Sequence, residues 1–286
     1  MKKYLLIILI FLLTSTVVLI IKRSAPRAGS VKVDGINIAY ITYGRGEPLI
    51  MITGYNGTMD MWSRGFIRKL SKKYKVIVFD NRGMGKTTAS DKEFTIKLFA
   101  QDTAGLMDAL KIKKAHILGW SLGTYIAQEL ALNYPEKVDK LILYAADTGG
   151  KQAVDPDPKT LEILENTSSD NGMELLALLL PDKWLKDNPD PRKFFPKVTE
   201  TSPPENISRQ YNAWRKWPGT YSRLKGLKTP TLLVTGTEDI LTPPENSKMM
   251  AKLIPNAKLA TIPGGGHGVM YQYPEGMADI IINFLH

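Results

Sequence analysis

Three residues that could share one reaction stand far apart in the chain: Ser121 in GWSLG (119–123), Asp239 in VTGTEDILTPPE (234–245) and His267 in IPGGGHGVM (262–270). A serine hydroxyl is a poor nucleophile until a base takes its proton and a third group orients that base. The residues before Ser121 read as a short apolar strand. After it, Leu122, Ile126 and Leu130 fall at helical spacing. A strand that turns abruptly into a helix lifts the residue at the turn above the carboxyl edge of a sheet, where ligands of open α/β folds bind. Glycines at 119 and 123 relieve the crowding of so sharp a turn, so GWSLG fits the pattern G-x-S-x-G.

The candidate base follows from a short inventory. His116 lies inside the strand that leads to Ser121 and reads as a core or edge residue, and His286 is the last residue of the chain. His267 sits in a glycine-rich loop after the last apolar run, where backbone freedom can bring an imidazole over the sheet edge; its alternative is a polar residue that only hydrogen-bonds the turn. For the orienting acid Asp239 is favoured, Glu238 reads as its solvent-facing neighbour, and Asp147 at the end of an earlier strand is the fallback. The order Ser121, Asp239, His267 is the chain order of α/β-hydrolase triads.

The elements that must position these residues alternate. VKVDGINIAYITYG (31–44) reads as a hairpin about Asp34-Gly35. Buried strands are expected at 48–53, 75–80, 115–119, 140–147, 229–236 and 257–263, with helices at 99–110, after Ser121 and at 244–254. Strands alternating with helices predict a mostly parallel sheet covered on both faces. Between Asp147 and Thr229 there is no convincing strand, only helical pieces such as TLEILENT and MELLALLLPDKWL, which read as a helical insertion above the sheet. The expected organisation is therefore a first core part at 30–146, a helical cap at 147–228 and a second core part at 229–286, preceded by an anchor and linker at 1–29.

That anchor is YLLIILIFLLTSTVVLII (4–21), 18 uncharged residues between two basic pairs. As a helix it would span roughly 27 Å, about the thickness of a bilayer core. Its length argues for a transmembrane helix over a cleaved signal, although a cut near Ala25 or Ala28 is the alternative. RSAPRAGS (23–30) reads as a linker, and similarity to exported sequences places the folded domain on the extracytoplasmic side. A single-pass membrane location is thus the expectation.

Composition narrows the classes. The 286 residues are 43% hydrophobic and 23% charged, a globular balance. With no cysteine, disulfides, thiolate metal sites and a cysteine nucleophile are excluded. The formal charge of +10 suggests nucleic acid until it is located: six of those charges lie on Lys2, Lys3, Lys22, Arg23, Arg27 and Lys32, in a stretch without acids. The rest are scattered without interleaved aromatics, so no nucleic-acid partner is expected. GMGKT (83–87) ends like a Walker A loop, but Asp80 occupies the place of its first glycine. Asp80 and Arg82 read as braces of their turn. No metal-ligand spacing is present, and no cofactor is expected.

On the segments DNRGMGKT (80–87), GWSLG, VTGTEDILTPPENS (234–247) and IPGGGHGVMYQYPE (262–275), the chain resembles the α/β-hydrolase superfamily from Val31 to Leu285, most closely small carboxylesterases and lactonases of the enol-lactonase and methyl-esterase type. The resemblance implies an eight-stranded sheet, a helical cap between the sixth and seventh core strands, and a cofactor-free acyl-serine mechanism on an ester or lactone. It further implies an oxyanion hole from the backbone N–H groups of Tyr55 and Leu122. One departure concerns that hole: where the family commonly has His-Gly after the third strand, this chain has Thr53-Gly54. Backbone donors survive a side-chain exchange, so the hole is still expected. Alternatives on the same three residues are perhydrolysis or removal of an N-terminal proline from peptides, and a non-catalytic binding protein is the alternative of another class. Natural substrate and oligomeric state are not encoded in any motif.

Overall fold

The computed structural model describes residues 25–286 apart from 167–171. Eight strands form one sheet: β1 Arg27–Val33, β2 Ile36–Tyr43, β3 Pro48–Ile52, β4 Lys75–Phe79, β5 Ala115–Trp120, β6 Val138–Tyr144, β7 Thr231–Gly236 and β8 Lys258–Ile262. Their spatial order is β1-β2-β4-β3-β5-β6-β7-β8. β2 runs antiparallel to β1 and β4, and the other pairs are parallel. The mostly parallel eight-stranded sheet expected from the sequence is therefore present.

The Asp34-Gly35 hairpin has φ of 44° and 80° at its two turn residues, the left-handed pair that matches the twist of the flanking strands. β1 begins at Arg27, inside the stretch read as a linker, because Arg27 to Ser30 pair with Thr42 to Ala39 through the backbone. An edge strand held by backbone bonds needs no apolar pattern, so composition hides it.

The helices are α1 Arg64–Leu70, α2 Ile96–Ala109, α3 Leu122–Asn133, α4 Pro158–Asn166, α5 Gly172–Leu179, α6 Asp182–Asp187, α7 Pro204–Arg215, α8 Pro244–Leu253, α9 Val269–Gln272 and α10 Pro274–Leu285. Successive strand residues point to opposite faces, and β3 shows the result. Ile50 and Ile52 join Phe99, Leu106, Ile126 and Leu130 of α2 and α3 in one core layer. Leu49 and Met51 join Phe66, Leu70, Met277 and Ile281 of α1 and α10 in the other. Both faces are covered, which is why the central strands are apolar along their whole length.

Between β6 and β7 the described residues form helices α4 to α7 and short turns, without a strand. This helical layer is fastened to the loops at the carboxyl end of the sheet. Asp60 accepts the Thr199 backbone N–H at 2.7 Å, Asn206 donates to the Gly83 carbonyl at 3.0 Å, and Gln210 accepts the Asn56 N–H at 2.7 Å. Trp217 donates its indole N–H to Glu129 of α3 at 2.8 Å, and Arg223 pairs with the same carboxylate.

The membrane expectation requires correction. Among the described residues no helix is long and apolar enough to cross a membrane, and residues 4–21, on which the expected anchor rested, lie outside those described. The N-terminal transmembrane helix, the membrane as a partner and the extracytoplasmic placement that depended on it are accordingly not retained.

The turn from β5 into α3 is as tight as its glycines require. A Cβ on Gly119 would lie 2.3 Å from the Gly123 carbonyl oxygen, and one on Gly123 would lie 2.2 Å from that of Ile52. Neither backbone atom can yield without moving β3 or α3. Gly123→Ala is expected to destabilise the fold by about 2–3 kcal/mol, whereas Gly226→Ala, whose Cβ would meet nothing within 4 Å, should stay within about 0.5 kcal/mol. Paired denaturant melts check this; equal midpoints would refute it.

Candidate active site

Ser121 occupies the point where β5 ends and α3 begins. Its backbone sits at φ 54°, ψ −125°, a conformation costing a non-glycine residue roughly 1–3 kcal/mol. The strain is held from both sides: the Ser121 N–H donates to the Tyr144 carbonyl at 3.0 Å, and its own carbonyl accepts the Thr124 N–H at 2.8 Å. The hydroxyl makes no capping bond and lines a cavity of about 420 Å³. Leu122, first residue of α3, has no intrahelical acceptor for its N–H.

The loop after β3 passes beside the serine so closely that a Cβ on Gly54 would lie 3.0 Å from the Ser121 Cβ. Thr53 donates its hydroxyl to the Gly57 carbonyl at 3.2 Å, and Gly57 N–H donates to Gly54 O at 3.2 Å, closing the loop on itself. Asn81 Nδ2 reaches the Thr53 carbonyl at 3.4 Å. From the helical layer, Gln210 holds the N–H of Asn56, a residue at φ 51°. Tyr55 lies between these clamps and lines the cavity with Ser121 and Leu122. The threonine that departs from the family pattern is thus a brace of the loop.

His267 is brought to the same cavity by the loop between β8 and α9. Its carbonyl accepts the Tyr144 hydroxyl and the Trp120 indole N–H, which pins the backbone from below. Its ring packs against Trp120 with centroids 5.8 Å apart. Nδ1 stands 3.0 Å from both carboxylate oxygens of Asp239. Asp239 Oδ1 also accepts the backbone N–H groups of Leu241 and Thr242 at 3.0 and 2.8 Å. Acid and imidazole are both buried, so the pair is shielded from water and fixed in orientation. Ser121 and His267 face one cavity without a hydrogen bond between them, and such bonds are often long before substrate closes a site.

Glu238 is exposed, as expected of the neighbour of a buried acid. His116 lies at the opposite end of β5, 3.3 Å from Glu47 and 3.4 Å from Asp139. Asp147 does not reach His267; its carboxylate is taken by Tyr125, whose hydroxyl donates at 2.6 Å, and by the Gly149 N–H at 2.6 Å. Asp80 and Arg82 act within the scaffold. Asp80 accepts the Met59 and Lys86 N–H groups at 2.6 and 2.9 Å, and burial pushes its carboxyl up to about 6. Arg82 forks onto Asp102 at 2.7 and 2.5 Å.

The cavity wall carries one residue, Tyr125, that sequence reasoning missed. Tyr125, one helical turn beyond Ser121, and Trp214 and Trp217 near the end of α7 all line it. Helical spacing from Ser121 was a usable signal for Tyr125, because positions i and i+4 share a face. Nothing local pairs Tyr125 with Trp217, whose ring centroid lies 4.6 Å from its own. Among the described residues no group of three His, Asp or Glu side chains could hold a metal ion.

The sequence matches the family model described as alpha/beta hydrolase fold over residues 47–274, well over half of the chain. It is 28% identical over 264 residues, covering 87% of this chain and 97% of the other, to a Mycobacterium tuberculosis (strain CDC 1551 / Oshkosh) protein that bears the name "Putative non-heme bromoperoxidase BpoC". Two solved structures share the fold: a thermophilic esterase from Thermogutta terrifontis, with TM-score 0.77, 24% identity and 91% and 98% of the two chains covered, and the enol-lactonase from Burkholderia xenovorans LB400, with TM-score 0.78, 20% identity and 90% and 99% covered. With a family match of this extent over a sheet of this order, the chain belongs to the alpha/beta hydrolase fold family and is an enzyme of the α/β-hydrolase type.

Proposed function

We propose that the protein is a serine hydrolase that cleaves a carboxylic ester or lactone through an acyl-serine intermediate. The observation that carries this reading is the buried Asp239–His267 pair facing the same cavity as a serine held at positive φ on the strand-to-helix turn. A carboxylate bonded to Nδ1 fixes the tautomer that leaves Nε2 free to take a proton.

In the proposed reaction His267 Nε2 accepts the Ser121 hydroxyl proton as Oγ attacks the carbonyl carbon. The carbonyl π pair moves onto oxygen, where the N–H groups of Tyr55 and Leu122 and the helix N-terminus oppose the developing charge. Collapse re-forms the C=O, breaks the bond to the alcohol oxygen, and sends the imidazolium proton to that oxygen. Water then repeats the sequence on the acyl-serine: His267 takes its proton, the hydroxyl adds to the carbonyl carbon, and Ser121 leaves with the proton returned. The products are one alcohol and one acid, or a single hydroxy acid from a lactone.

Apolar side chains of the helical layer, including Leu161, Leu178 and Trp214, line the cavity and suit an apolar acyl or alcohol group. Incubation with a fluorophosphonate, followed by peptide mass spectrometry, is expected to place one phosphonyl adduct on Ser121 and to stop hydrolysis of p-nitrophenyl butyrate. A folded protein that turns over the ester while Ser121 stays unmodified would refute the reading.

A further inference from the structure

Asp147 has no role in the reaction just described, yet it lines the same cavity as Ser121. The apolar wall around it makes a carboxylate there costly unless something compensates it. Its donors are fixed in direction. The Tyr125 hydroxyl donates to Asp147 Oδ2 at 2.6 Å. The Gly149 N–H occupies Oδ1. Both carboxylate oxygens therefore receive a donor, which is the arrangement that suits the ionised group. No Lys, Arg or His among the described residues forms an ion pair with it, Lys151 and Arg215 of the cavity wall being exposed; burial raises its carboxyl above the usual carboxylate range, and the charges of Asp155 and Asp239 raise it further. The carboxyl is thus held by two donors on the wall of the cavity with no cation among the described residues paired to it, so a cation placed there would favour its ionised form.

We infer that Asp147 is a specificity-determining residue that receives a protonated amine on the substrate, so that the preferred ester carries an ammonium group on its acyl or alcohol part. The two protein donors leave lone pairs on the carboxylate for a third, charged donor. An ammonium there would supply the missing counter-charge in a cavity where water screens little. The tyrosine's place one turn from Ser121 on α3 ties the ammonium subsite rigidly to the nucleophile.

This inference rests on the acyl-serine reading, and its test separates the two. Two series serve as probes: phenyl ω-(dimethylamino)alkanoates of graded length and ω-(dimethylamino)alkyl hexanoates, each matched with the isostere that has isopropyl in place of dimethylammonium. In one series the parent is expected to favour the cationic ester in kcat/KM on the order of 30-fold. In Asp147→Asn that ratio should fall to within about threefold of unity, while Asp155→Asn, which changes an exposed carboxylate of the same cavity, should keep most of it. Calorimetric binding of the intact esters to Ser121→Ala reads the same preference without turnover. No cationic preference in either series, a preference that survives Asp147→Asn, or one that disappears in Asp155→Asn would overturn the inference. Neutral esters hydrolysed equally by the parent and Ser121→Ala would instead overturn the acyl-serine reading and leave the binding ratio to decide the subsite.

Discussion

Replacing Ser121 by alanine is expected to lower kcat/KM for p-nitrophenyl butyrate by about 10⁴ to 10⁶-fold, with the protein still folded. The size follows from the chemistry assigned to one atom. Without Oγ no acyl-enzyme forms, and what remains is whatever acceleration Tyr55, Leu122 and His267 give to direct attack by water. Stability offers a second readout on the same residue. Alanine keeps the Cβ and hence the strain of φ 54°, whereas Ser121→Gly removes the same nucleophile and relieves that strain. The glycine variant should therefore be the more stable of the two by about 1 kcal/mol while being just as inactive. Rates measured on both variants, with denaturant midpoints beside them, check the argument. Esterase activity within tenfold of the parent in either variant would remove Ser121 from the reaction, and equal midpoints would mean the turn is not strained.

The parts of this molecule legible in the sequence are those whose cause is local. Alternation of apolar runs gave six of the strands to within a few residues because buried parallel strands need apolar side chains on both faces. The glycines flanking Ser121 were readable because the crowding they relieve arises within a five-residue turn. The rest depends on contacts that close long loops. Gln210 holds the N–H of Asn56 across 154 positions, and Trp217 packs on Tyr125 with ring centroids 4.6 Å apart; neither partner carries a local mark of the other. Asp147 shows the limit most plainly. As an acid at the end of β6 it was a reasonable fallback partner for His267, and its place in the chain was read correctly. Its direction was not, because the side chain is drawn to a tyrosine and a backbone N–H that only the folded loop presents. The start of β1 was hidden for a related reason, since backbone pairing at a sheet edge leaves no side-chain pattern.

Asp239→Asn is expected to cost about 10³ to 10⁴-fold in kcat with little change in KM or in fold. The carboxylate has two duties. It accepts the Leu241 and Thr242 N–H groups, and with both oxygens 3.0 Å from Nδ1 it selects the tautomer with the proton on Nδ1. An asparagine can keep its carbonyl oxygen toward the two backbone donors, so the loop survives. Its amide nitrogen then faces the imidazole and donates to Nδ1, which forces the ring proton onto Nε2, the atom that must receive the Ser121 proton. The ring also loses the negative charge that stabilises it once protonated. Asp147→Asn provides the contrast, for it leaves the tautomer of His267 untouched and acts through the ammonium subsite. The two variants should therefore separate by substrate: Asp239→Asn slows cationic and neutral esters alike, whereas Asp147→Asn narrows the difference between them. Steady-state kinetics on one matched ester pair reads both effects. If Asp147→Asn instead produced the uniform loss and Asp239→Asn left the rate within tenfold, the orienting acid would be Asp147, and the imidazole would have to turn away from the partner it has in the structure.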